Sequence, residues 1–209
     1  MSSQKPIFSE LDNWSVPHAL DALKKRDGTA FGGAAGSSGR NLGLVFDNMD
    51  LLMKRGMYEA ALLSAFISCK TNYHHWDHSV IKWMFDEADR RKLNSLGFGI
   101  PNVHIIAYRG VSGVGKKRHI HGISWTTSKD MACWFAMRFA HLGNPTVLKC
   151  VFDPKDIYVF HNEREEDELI GLPQKPVNSK LTIAQMNEGF SRTVERRQQR
   201  WLEKYGKVA

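Results

Sequence analysis

The chain has 209 residues, 42% of them apolar, with six Trp and eleven Phe. That suffices for one domain with a sizeable core and excludes a wholly disordered chain. Lys and Arg outnumber Asp and Glu by 29 to 22, a formal net charge of +7. The excess gathers at 116–118 and 192–207 instead of alternating with aromatics along one face, so it reads as solvated surface more than as a nucleic-acid interface.

Three cysteines, Cys69, Cys133 and Cys150, lack CxxC spacing and are expected to be reduced and buried, in a cytoplasmic protein. The first residues lack an apolar signal core, and no apolar run reaches eighteen residues. Neither export by a signal peptide nor a membrane span is expected.

In chain order, an amphipathic piece around 19–23 precedes the glycine-rich stretch 27–40. That stretch holds Gly28, Gly32, Gly33, Gly36 and Gly39. It follows no strand and lacks a phosphate-loop pattern, so a flexible linker is expected. Asp47, Asn48 or Asp50 then caps a helix whose apolar face is Leu51, Leu52, Tyr58, Leu62, Ala65 and Phe66, with Gly56 as a weak point. Ser79 opens a second helix, with Arg90, Arg91 and Lys92 loading its last turn.

After Pro101 the period shortens. Strands are expected at 103–108, 123–126, 146–152, 157–160 and 169–172. The pattern Thr127–Asp130 starts a helix with Ala132, Phe135, Ala136 and Phe139 on one stripe. A polar, basic helix begins near Ile183. Helices followed by short strands, with connections too short for crossover helices, predict an α+β domain with a mainly antiparallel sheet.

Three groups of residues carry chemistry. Gly110–Lys116 fits GxxxxGK after a strand, but Lys117 stands where Ser or Thr should hold magnesium, and a strand follows instead of a helix. His74, His75, Asp77 and His78, with His119 and His121, lack zinc spacing, and no metal is expected. The third group is Tyr108-Arg109-Gly110 at a strand end, then Ser124-Trp125-Thr126, then Glu166-Asp167-Glu168 ahead of Leu169 and Ile170. A strand-end guanidinium suits capture of phosphate oxygens, and an acidic run abutting an apolar strand has its last carboxylate held on structure.

This third pattern resembles the arginine–serine–glutamate class of ADP-ribosyltransferases, the type found among bacterial toxins, phage proteins and vertebrate ecto-enzymes. The likeness covers 103–173 and includes Ala132-Cys133-Trp134-Phe135-Ala136. Ser-Trp-Thr stands where many members have Ser-Thr-Ser. The resemblance implies a split β-sandwich core of mainly antiparallel strands with preceding helices, and NAD+ as substrate. It divides the chain into an N-terminal segment 1–42, a domain 43–182 (helical part 43–100, NAD-binding core 101–182) and a tail 183–209.

By the same likeness Arg109 binds NAD+, with Gly110, Ser124, Trp125, Thr126 and Phe135 lining its site, and Ser124 holds Glu168. Glu168 stabilises the ribosyl cation, and Glu166 goes with an arginine acceptor on a target protein. The alternative register is Glu163-x-Glu165. Other readings are NAD+ glycohydrolysis, transfer to nucleic acid, and an inactive module binding an acidic partner. The place of action implied is the cytoplasm, or a host cytosol if the chain is delivered as an effector.

Overall fold

Helices fill the first part of the chain and a sheet the second. The structure, a computed structural model, describes residues 5–36, 40–69, 76–115, 122–162 and 165–206. It divides into two compact units, Met1–Leu96 and Gly97–Ala209.

In the first unit α1 spans Val16–Lys25 and stops at Arg26, a left-handed residue. The described first part of the glycine-rich stretch, 27–36, is not a tether. Gly28–Gly32 form α2, whose N-cap Asp27 accepts from the Ala30 amide. Helix α2 packs on α5, Tyr58–Ser68, at backbone distance: a Cβ on Gly28 would lie 2.5 Å from the Met57 carbonyl, and one on Gly32 2.2 Å from that of Ala61. These glycines are there for close approach, a role that composition cannot distinguish from flexibility.

Helix α3, Asn41–Asp47, was not anticipated; α4 is Met49–Arg55. The one helix expected after Asp50 is two, because Gly56 adopts φ 67° and ends α4. Helix α6, His78–Asp86, is capped by Asp77 instead of Ser79. Arg90–Ser95 form a separate α7, in which the Asp89 carboxylate accepts from the amides of Arg91 and Lys92. Arg90, Arg91 and Lys92 therefore start a helix instead of closing one; the aspartate cap, not their attraction to a C-terminal dipole, decides the boundary. The buried centre of this unit includes Phe31, Leu42, Leu52, Tyr58, Leu62 and Phe85.

The second unit contains β1 (Ile105–Val111), β2 (Ser124–Thr126), α8 (Lys129–Arg138), β3 (Thr146–Phe152), β4 (Ile157–His161), β5 (Glu168–Gly171), β6 (Val177–Asn178) and α9 (Ile183–Tyr205). The described strands make one six-stranded sheet in the order β4-β5-β2-β1-β3-β6, and each adjacent pair is antiparallel. The expected α+β class with an antiparallel sheet is what the chain adopts.

Ser128, not Thr127, caps α8, accepting from the Met131 amide. The buried face of α8 is Met131, Ala132, Cys133 and Ala136, with Phe135 half-buried. The helix lies directly on β1, since a Cβ on Gly110 would meet the Ala132 carbonyl at 2.0 Å and the Ala136 amide at 2.5 Å. Behind α8, α9 starts with a capping box between Thr182 and Gln185. It packs on α8 through Gly189, whose missing side chain leaves room for Cys133. On the other face of the sheet Ala107, Trp125, Cys150, Phe152, Ile157 and Leu169 form a second core.

Candidate functional site

Strand register sets Glu168, the first residue of β5, between β4 and β2. Glu168 opposes Thr126 of β2 on one side and His161 of β4 on the other. Side chains alternate along a strand and match across a ladder, so Thr126, Glu168 and His161 share a face, and Ser124, two residues from Thr126, shares it too.

The Ser124 hydroxyl donates to Glu168 Oε1. His161 Nε2 lies 3.1 Å from Glu168 Oε2, yet neither ring nitrogen of His161 forms a directed hydrogen bond among the described residues. The pair is thus a close electrostatic contact, not an aligned bond. Glu168 and His161 are both buried, at 5% and 2% exposure. A carboxylate so deep requires polar partners, and these include a hydroxyl and a nearby imidazole supplied by neighbouring strands.

Arg109 stands on β1 across from Trp125, by the register that sets Tyr108 opposite Thr126. Alternation therefore gives it to the other face. Its guanidinium comes to the start of β2, where Nη1 donates to the Ser124 carbonyl. Gly122 makes the room: a Cβ there would stand 2.2 Å from Arg109 Nη2. Arg109, Ser124 and Glu168 are joined in one hydrogen-bonded chain, with the main chain of Ser124 as the link.

The segment before β5 is not extended. Asp167 has φ 45° and Glu165 φ 57°, and the Glu165 amide donates to the Asn162 carbonyl. Strand alternation therefore does not relate Glu166 to Glu168. What fixes Glu166 is a clamp on β2 and its exit. The Thr126 hydroxyl donates to the Glu166 carbonyl at 2.6 Å, the Thr127 amide to the Asp167 carbonyl, and the Asp167 amide to Asn162 Oδ1. The Glu166 carboxylate receives Arg197 Nη2 of α9 at 3.3 Å, and Arg200 pairs with Glu165 at 2.9 Å. Glu163, the other member of the alternative register, lies outside the described residues.

The remaining expected lining residues separate. Trp125 is in the core at 2% exposure, its indole donating to the Gly122 carbonyl and its ring edge-on to Phe152. It therefore presents nothing to a ligand, because alternation turns it away from Ser124 and Thr126. Thr126 is equally buried and works through the loop it clamps. Gly110 is the seat of α8. Phe135 stacks edge-on against Trp134.

His161, Asn162, Gly122 and Arg197 were not foreseen. The ladder partners of a short strand and the approach of a distant helix are not written in local spacing.

Strand β2, not a helix, is the next described element after the GxxxxGK stretch, and Lys116 and Lys117 lie outside the described residues. Among the described residues no group of three His, Cys, Asp or Glu is arranged to hold a metal ion. His74, His75, His119 and His121 fall outside them, and Asp77 is engaged as a helix cap. Burial pushes the thiols of Cys69 and Cys133 up, which leaves them protonated and poor nucleophiles. Among the described residues no helix is long and apolar enough to cross a membrane.

No family model, curated protein or solved structure matches the chain.

Proposed function

We propose that the chain is a mono-ADP-ribosyltransferase that moves ADP-ribose from NAD+ to an arginine of a target protein and releases nicotinamide. The observation that carries this reading is the chain Arg109–Ser124–Glu168: a guanidinium beside a serine whose hydroxyl holds a buried glutamate. The implied fold is a split β-sandwich of the arginine–serine–glutamate class over 43–182, and the implied place of action is a cytosol.

The chemistry suits these groups. Cleavage of the nicotinamide glycosidic bond builds positive charge on ribose C1′ and the ring oxygen. A carboxylate fixed in advance stabilises that charge without reorganising. The Ser124 hydroxyl holds Glu168 Oε1, with His161 Nε2 3.1 Å from Oε2, and fixing the carboxylate in this way is the preorganisation such a role requires. The Arg109 guanidinium is suited to the phosphates or the adjoining ribose. Glu166, on the clamped turn next to β5, supplies the carboxylate that an arginine acceptor needs. The free pKa of arginine is above about 12, and transfer requires it to give up a proton.

Labelled NAD+ is incubated with a cell lysate and either wild type or Glu168→Ala. The expected result is a labelled protein band that the variant fails to produce, with turnover reduced by roughly 10²–10³. Glu168-dependent release of free ADP-ribose with no labelled protein replaces transfer by hydrolysis. No Glu168-dependent nicotinamide release from any mixture overturns the reading.

A further inference from the structure

The +7 chain places four arginines of α9 on acidic groups of its own unit, and they are not equivalent. Arg192 grips Asp130 with two nitrogens, at 3.0 and 2.7 Å, and Arg196 adds a third contact at 3.4 Å. Together with the Gly189–Cys133 approach and buried Met186, this holds α9 on α8. Arg200 pairs with Glu165, both about half exposed, the kind of surface pair worth little.

Arg197 differs from all three. It touches Glu166 through one nitrogen only, at 3.3 Å, and its guanidinium carbon lies 4.4 Å from the centre of the Trp134 ring. Among the described residues its other nitrogens make no hydrogen bond. One third of its side chain is exposed, against 13% for Glu166. A single contact of this geometry adds little to the hold of α9. It does, however, place a guanidinium over an aromatic ring with one amino group on the carboxylate that the transferase reading gives to the acceptor.

We infer that Arg197 is an intramolecular acceptor, so that the chain modifies its own C-terminal helix at this residue. The inference rests on the transferase reading above. In the step, the bond between ribose C1′ and the nicotinamide nitrogen of NAD+ breaks, and its electron pair leaves with neutral nicotinamide. Arg197 passes one guanidinium proton to Glu166, and the freed nitrogen lone pair forms the new bond to C1′. The glutamate later returns its proton to solvent. Because the acceptor is already tethered at the carboxylate, attack does not need a second molecule. The advantage over an untethered guanidine is the entropy of association already spent. Arg192 and Arg196, engaged on Asp130 instead of Glu166, are not acceptors.

Purified full-length chain is incubated with NAD+ alone, and the adduct is located by peptide mass spectrometry. A free guanidino compound is added in a parallel reaction as an external acceptor. The expected result is one ADP-ribose on Arg197, formed at a specific rate independent of protein concentration. It is lost in Arg197→Lys and retained in Arg196→Lys. Peptide mapping of the wild type decides the site even if a variant misfolds. Modification of the external guanidine with Arg197 untouched overturns this inference and leaves the transferase reading standing. An adduct whose specific rate rises in proportion to protein concentration is intermolecular and overturns the assignment in cis. Absence of Glu168-dependent cleavage of NAD+ in both reactions overturns both readings.

Discussion

Ser124 occupies the middle of the candidate site in two senses: its hydroxyl serves Glu168 and its carbonyl serves Arg109. The two functions separate on mutation. Ser124→Ala keeps the carbonyl, and so the Arg109 contact, but removes one donor from a buried carboxylate. Hydrogen bonds to charged groups are worth about 1.5–3 kcal/mol, so kcat for nicotinamide release is expected to fall roughly 10- to 100-fold with KM for NAD+ little changed. Steady-state kinetics on protein with an unaltered melting temperature checks this; an unchanged kcat removes Ser124 from the site. That Glu168 has a special environment was legible from its position just ahead of an apolar strand. That His161 lies beside it was not, because the pairing of β4 with β5 joins residues whose sequence spacing says nothing about register.

Glycine is the residue type whose meaning changed most between chain and fold. At the level of elements, α2 is a five-residue helix that exists because Gly28 and Gly32 let it sit on the α5 backbone. Gly32→Ala forces a Cβ to within 2.2 Å of the Ala61 carbonyl and is expected to cost about 1–3 kcal/mol or more. The neighbouring Gly33→Ala meets nothing closer than 3.6 Å and is expected to stay within about 1 kcal/mol of wild type. Urea unfolding of the two variants checks the contrast, and equal stabilities would restore the linker reading. Gly110 works in the same way between β1 and α8. Apolar periodicity located most helices and strands well. Their ends followed caps that several adjacent polar residues could have supplied: Asp77 instead of Ser79, Asp89 between α6 and α7, Ser128 instead of Thr127.

On the scale of the molecule, the basic excess is partly internal. Arg192, Arg196, Arg197 and Arg200 meet Asp130, Glu165 and Glu166, so these cations face acidic groups of their own unit, and Arg192 and Arg196 on Asp130 hold α9 to α8. The hydrogen bond from Arg192 holds the Asp130 carboxyl below the usual carboxylate range. A folded-state pKa below the unfolded one contributes stability above the unfolded value, about 3.9. That stability disappears as pH falls through the lower folded value. Acidification also raises the net positive charge and the self-repulsion that goes with it. The melting temperature of wild type is therefore expected to drop on titration below about pH 4. Asp130→Asn should melt lower at neutral pH and lose less on acidification. Thermal unfolding across the titration checks both slopes, and parallel curves would deny the Asp130 contact a role in stability.

Composition and period by themselves determined an α+β chain with an antiparallel sheet, since apolar spacing and short connections constrain local structure wherever it lies. Arg109, Ser124 and the Glu166–Glu168 run stood out by their order along the chain and its resemblance to the arginine–serine–glutamate pattern, since each taken alone reads as an ordinary surface or strand residue. Only the tertiary structure decided that Trp125 is core, that Asp167 turns the chain between the two glutamates, and that Arg197 of α9 rests on Glu166. Those outcomes depend on strand register and on contacts between residues distant in the chain, and neither is encoded in the spacing of nearby residues.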